Sequence, residues 1–241
     1  MSAYPAPPFD VVTFAGMAAI APLVALLAAK VFSGGRRTRR IGWLMAIAAV
    51  MSLSAVLASA GLMARADAKP PWLQSLIGLE FVALTSYGLS RAGRVATNDT
   101  ALASLVLLQS FRLPLELLML YAARQGVMPT EFSMAGYNFD VITGALAVPL
   151  GLALLRGWAV PRYLLIAWNA WGVACLLVIA ALAVATSPNV AWFGSAQAHV
   201  SVWVLYFPYV WLPTIMVPVA VYAHGLISLR LRRNALPAYS K

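Results

Sequence analysis

Seven long apolar runs joined by short polar loops leave this chain few folds to adopt. They lie near 10–33, 41–63, 73–91, 101–123, 139–156, 162–186 and 200–229. As helices rising about 1.5 Å per residue, each is long enough to cross a hydrocarbon core about 30 Å thick. Composition agrees, with 62% hydrophobic residues, only 10% charged and a mean hydropathy of +0.83. A soluble domain would carry about 25% charged residues. The expected fold is an all-α integral membrane protein, a single bundle of seven transmembrane helices over 1–241, with the lipid bilayer as its surroundings.

The formal charge of +10 does not point to nucleic acid once its distribution is considered. The basic residues gather as Lys30 with Arg36, Arg37, Arg39 and Arg40; Arg91 with Arg94; Arg156 with Arg162; and Arg230, Arg232, Arg233 and Lys241. These clusters fall in the first, third and fifth loops and the C-terminal tail, whereas the alternate loops hold only Arg65, Lys69 and Arg124. That is a topology signal, with anionic headgroups as the secondary partner. An odd number of spans with this bias puts the N-terminus outside and the C-terminus in the cytoplasm. The first nine residues carry no Lys or Arg, so the first span is expected to be retained rather than cleaved as a signal.

Polar residues inside the apolar runs mark the candidate site. Arg112, Pro114 and Glu116 stand within five residues of the fourth span, where charge is costly and tends to mark function. Arg112 and Glu116 are spaced i,i+4, so their side chains are expected to meet on one helix face. Glu80 lies in the outer half of the third span, and Asn138 and Asp140 open the fifth. The longest outside loop, Arg124 to Asn138, holds Gly126, Pro129 and Gly136 and can fold back as a lid. In the seventh span, Pro208, Pro213 and Pro218 exclude a straight regular helix, and Tyr206, Tyr209 and Trp211 offer an aromatic wall at similar depth. The expected ligand-binding set is therefore Arg112, Glu116, Glu80, Asn138, Asp140, Tyr206, Tyr209 and Trp211. An ion pair that only fixes helix packing is the competing reading of Arg112 and Glu116. Gln109 and Asn169 read as hydrogen-bonding links between helices.

Several chemistries are excluded. The two histidines, His199 and His224, would stand about 37 Å apart on a continuous helix, too far to hold one haem or one metal. Cys175 is the single cysteine and sits within an apolar run, so there is neither a disulfide framework nor a thiolate cluster. Lysine is absent from the seventh span, which excludes a retinal Schiff base. No nucleophile elbow or phosphate loop occurs, and no cofactor is expected.

Phe111-Arg112-Leu-Pro114-Leu-Glu116, then Gly136-Tyr-Asn138-Phe139-Asp140-Val-Ile-Thr-Gly144, then Tyr206-Phe207-Pro208-Tyr-Val-Trp211-Leu-Pro213 with Val217-Pro218 and His224 carry a resemblance. Together they resemble an uncharacterised family of bacterial seven-span inner-membrane proteins, over most of the chain from the fourth span onward. That family carries Arg-x-Pro-Val-Glu and Glu-Gly-Arg-Asn-Phe-Asp in the corresponding places. Here Ala135 stands where Glu would and Tyr137 where Arg would, so a loop ion pair of the relatives would be missing. The resemblance implies a bacterial cytoplasmic membrane, the topology and the choice of site, and no activity.

Three functions follow as expectations. The first is an outward-facing polar pocket that binds or transports a small solute or ion. The second is a sensor or accessory subunit acting through a partner membrane protein. A membrane-embedded enzyme stands third, since no catalytic constellation is present.

Overall fold

Apolar periodicity builds helices here, and their ends are set by local chemistry. The computed structural model describes residues 3–233; Lys241, the last of the C-terminal basic cluster, lies outside them. Nine α-helices occur among the described residues: α1 (Val11–Phe32), α2 (Arg37–Ser59), α3 (Trp72–Leu89), α4 (Arg91–Asp99), α5 (Leu102–Leu108), α6 (Arg112–Arg124), α7 (Val141–Leu155), α8 (Arg162–Ala185) and α9 (Val217–Arg233). Asp10 caps α1 by accepting from the Thr13 amide and hydroxyl, both at 2.7 Å, which satisfies donors that have no partner within the helix. No strand forms among the described residues, only an isolated antiparallel bridge between Ala3 and Arg65.

Five helices are long and apolar enough to cross a membrane: Val11–Phe32, Arg37–Ser59, Leu102–Arg124, Arg162–Ala185 and Leu212–Arg232. By length and composition this is a multi-pass membrane protein. The other two predicted spans form less complete helices. α3 has 18 residues but carries Gln74 and Glu80. α7 has 15, enough for about 22 Å. Its shortness has a cause, because residues 127–139 dip inward as an irregular loop and α7 starts only below it. Val127, Met128, Phe132, Ser133 and Asn138 of that loop are all buried. Non-helical backbone is tolerated at such depth where protein encloses it.

The seventh span departs most from expectation. Predicted as a helix from residue 200, it starts with a short 3-10 turn at Trp203–Leu205 and becomes helical only near Trp211. A π-helical segment, Leu212–Met216, then precedes α9. Pro218 has no N–H to return to the preceding turn, and the widened π turn accommodates that missing bond. The fourth span breaks similarly: a 3-10 turn at Gln109–Phe111 separates α5 from α6, so Pro114 falls in the first turn of α6, where its lost donor matters least. The short helix α4, just beyond α3, was not expected from the sequence.

Small residues set how closely the helices approach. A Cβ on Gly144 would stand 2.4 Å from the Leu113 amide nitrogen, and one on Gly151 would stand 2.4 Å from Leu107 Cγ. Glycine therefore lets α7 lie backbone-to-backbone against the fourth span, the close packing that replaces a hydrophobic driving force in lipid. Around these contacts the fourth span and the last span are the most enclosed, and α2 is the least.

The basic clusters meet at one end of the bundle. Asp99 at the end of α4 pairs with Arg39 at 2.6 Å and Arg36 at 3.2 Å, joining the α1–α2 loop to α4. Arg230 donates to the carbonyls of Asn98 and Thr100, and Arg162 to that of Leu231. Hydrogen bonding by Arg39 and the charge of Arg36 hold the Asp99 carboxyl below its usual range.

Candidate functional site: a buried charge cluster beneath a loop

Where the loop 127–139 meets the broken fourth span, four polar side chains are sealed from solvent. Arg112, Glu116 and Asn138 are 1% exposed and Asp140 is 3% exposed. The 3-10 turn directs Arg112 toward the start of α7, where its Nη1 donates to Asp140 Oδ1 at 2.5 Å. This corrects the i,i+4 expectation: Asp140, not Glu116, is the salt-bridge partner of Arg112. Glu116 is instead held by Asn138, whose Nδ2 donates to both carboxylate oxygens at 2.9 and 3.0 Å. The same Nδ2 donates to the Phe132 carbonyl, and Asn138 Oδ1 accepts from the Asp140 amide. Asn138 thus ties the overlying loop, Glu116 and the head of α7 into one unit.

The formal charges of this cluster sum to −1, from one guanidinium and two carboxylates. Its polar valences are also incomplete, since Arg112 Nη2 is buried without a partner. Beside the group lies a small cavity of about 30 Å³ between the fourth span, α8 and the last span, lined by Arg112, Glu116 and Asp140 with Leu176, Leu212 and Met216. Above it, the loop is fastened by a contact of 2.6 Å between Glu131 Oε1 and His199 Nδ1, and Tyr137 stacks on Phe193. The loop at 124–138 therefore covers the cluster, as its glycines and proline suggested.

A second set of polar groups continues inward and escaped the sequence reading. Thr143, one turn along α7 from Asp140, is buried, as is the free Cys175 of α8. His224 of α9 packs on Trp168, and Gly172 leaves room for its ring: a Cβ there would stand 2.5 Å from Nε2. His224 Nδ1 contacts Asn169 Oδ1 at 2.8 Å, and Asn169 Nδ2 donates to Ser228. Because the Asn169 oxygen can only accept, Nδ1 carries a proton and Nε2, which has no partner, is left as a buried acceptor. Asn169 is indeed an interhelical link, as is Gln109, which donates to the Ala220 carbonyl at 3.4 Å. A lone histidine in an apolar run was the available signal for this inner set; its partner on another helix was not visible.

The remaining expected residues lie elsewhere. Glu80 lines a separate cleft of about 150 Å³ between α2, α3 and the last span, not the Arg112 cavity. Tyr206, Tyr209 and Trp211 do not wall the Arg112 cavity either. The Tyr206 hydroxyl donates to the Tyr4 carbonyl, Trp211 Nε1 donates to the Met51 carbonyl at 3.0 Å, and Tyr209 packs on Trp203. Prolines 208 and 213 make that segment irregular, so these rings serve to pin it to neighbouring backbone. No group of three or more His, Cys, Asp or Glu side chains able to hold a metal ion occurs among the described residues.

Comparison with known proteins found no matching curated protein and no matching solved structure. A family profile described as a domain of unknown function, DUF8737, matches residues 70–232, about two thirds of the chain and all of the charge cluster. The chain belongs to this family, the domain of unknown function DUF8737.

Proposed function

We propose that this protein is a transporter of a small cation, the proton included, which occupies the centre formed by Arg112, Glu116, Asn138 and Asp140. The observation that carries this reading is the charge deficit of that centre. Three ionisable groups almost wholly removed from solvent sum to −1, and an uncompensated charge in low dielectric costs several kcal/mol, about the penalty estimated per buried ion. One bound proton or one monovalent cation restores neutrality. The loop over the cluster supplies an outer gate, and the acceptor at His224 Nε2 supplies a further seat for a proton deeper in the bundle.

The membrane frame belongs to the same proposal. It is one domain of seven crossings in a bacterial cytoplasmic membrane, with α3 and α7 as the shorter crossings. The N-terminus is outside and the basic end of the bundle is cytoplasmic. The gathering of Arg36, Arg39, Arg162 and Arg230 at one end supports this orientation through the positive-inside rule.

Proteoliposomes loaded with a pH-sensitive dye test the function. Under an imposed proton gradient, with Na⁺ or K⁺ on one side, wild type is expected to move protons faster than empty liposomes. Glu116→Gln keeps the acceptor for Asn138 but removes the excess charge, and its rate is expected to fall about tenfold or more. Wild-type flux no greater than that of empty liposomes under every gradient overturns the transport reading, as does undiminished flux in Glu116→Gln.

A further inference from the structure

Glu80 stands halfway along α3 and is 8% exposed, yet neither of its carboxyl oxygens has a hydrogen-bond partner. Among the described residues no ion pair involves it. A buried carboxyl is ordinarily bonded or paired, so two unsatisfied oxygens ask for a missing donor. Glu80 forms part of the wall of the cleft, which holds about 150 Å³. Beyond Glu80 and Thr214, whose hydroxyl is already committed to the Val210 carbonyl, its lining is apolar or aromatic.

The aromatic part is organised. Phe32, Trp43 and Tyr222 all line the cleft and contact one another, with ring centroids 5.0 to 5.7 Å apart. Ring faces beside a carboxylate attract an organic cation through both the ring quadrupoles and the charge. A small metal ion would find no second carboxylate among these side chains. The cleft also borders α2, the least enclosed of the long helices.

We propose that the cleft between α2, α3 and the last span binds a lipophilic organic cation, with Glu80 as its counter-ion and Phe32, Trp43 and Tyr222 as its aromatic wall. The site is separate from the Arg112 centre and does not rest on the transport reading. An apolar body fills the cleft, and the cationic head satisfies Glu80 and faces the rings.

Full-length protein in phosphatidylcholine nanodiscs, titrated with tetraphenylphosphonium, tests this directly. Wild type is expected to bind it saturably, and the equally large tetraphenylborate anion is not. Glu80→Gln preserves shape and should weaken phosphonium binding by about tenfold or more. Trp43→Leu should weaken it severalfold, and Asp67→Asn in an outer loop should leave it unchanged. If Glu80→Gln does not fold, Trp43→Leu and the phosphonium–borate comparison still decide. Equal binding of both ions, unchanged binding in Glu80→Gln or in Trp43→Leu, or no saturable binding by wild type overturns the proposal. Proton flux is not measured in this titration, so its failure leaves the Arg112 centre untouched.

Discussion

Taking the Arg112–Asp140 pair apart should have unequal consequences, and the inequality follows from the charge sum. Both side chains are sealed and their nearest atoms are 2.5 Å apart. Removing one member of such a pair costs about 3–5 kcal/mol in soluble proteins, because the other charge is left buried. Asp140→Asn leaves Arg112 with Glu116 one turn along the same helix and brings the cluster sum from −1 to zero. Its cost should fall near the lower bound, about 3 kcal/mol. Arg112→Met leaves two carboxylates alone and brings the sum to −2, so its cost should approach about 5 kcal/mol. The double variant should cost less than the two together, with a coupling of about 1–3 kcal/mol. The assay is reversible unfolding in mixed micelles, followed by loss of helical circular dichroism. Single costs below about 1 kcal/mol that add to within about 0.5 kcal/mol would falsify the buried-pair assignment. A larger loss for Asp140→Asn than for Arg112→Met would refute the charge-sum reasoning.

Three further outcomes follow from the same geometry. Gly144→Ala places a methyl 2.4 Å from the Leu113 nitrogen, so α7 must shift away from the Arg112 segment; a loss of about 1–3 kcal/mol is expected by the same unfolding assay, and a neutral result contradicts the close approach. Gly172→Ala displaces the His224 ring and should change its imidazole resonances in nuclear magnetic resonance spectra; identical His224 signals contradict the packing of this ring on Gly172. At the basic end, Asp99 has its folded carboxyl lowered by Arg39 and Arg36, so the clamp is complete above the ordinary aspartate value of 3.8 and is lost only as pH falls through the lower folded value. Protection factors of α4 amides, corrected for the intrinsic exchange rate at each pH, should therefore stay high at pH 5 and fall at more acidic pH in wild type, whereas in Asp99→Asn they are low at both.

Which parts of this fold were legible depends on the range of the interaction that set them. Apolar runs place α1, α5 with α6, and α8 within a residue or so of their observed ends, because lipid exposure demands an apolar helix whatever its neighbours are. The last span resisted, since Pro208, Pro213 and Pro218 reveal that the helix must break but not that the break becomes a 3-10 turn followed by a π segment. The polar residues singled out in the fourth and fifth spans come together in one buried cluster. Pairing between them was misread because the i,i+4 rule sees only neighbours on one helix, whereas Asp140 and Asn138 reach Arg112 and Glu116 from the segment that opens α7. The 3-10 turn before Arg112 and the close seat of Gly144 bring Asp140 within reach, and Asn138 takes Glu116. Glu80 was placed against the wrong neighbours, because position along a helix says nothing about azimuth. His224 went unread for a related reason, as its partner Asn169 lies 55 positions away on another helix.

Infrared difference spectroscopy of the carboxyl stretch tests the charge deficit most directly. Films of the protein in lipid are compared with Glu116→Gln and Asp140→Asn at neutral pH, first without monovalent cations and then with Na⁺ or K⁺. A neutral centre requires either a protonated carboxyl band that one of these substitutions removes, or a cation-induced shift of a carboxylate band that either substitution abolishes. Two ionised carboxylates, insensitive to cations and unchanged in wild type from pH 5 to pH 9, contradict the proposed centre; a protonated band assigned to Glu116 or Asp140 is the expected result.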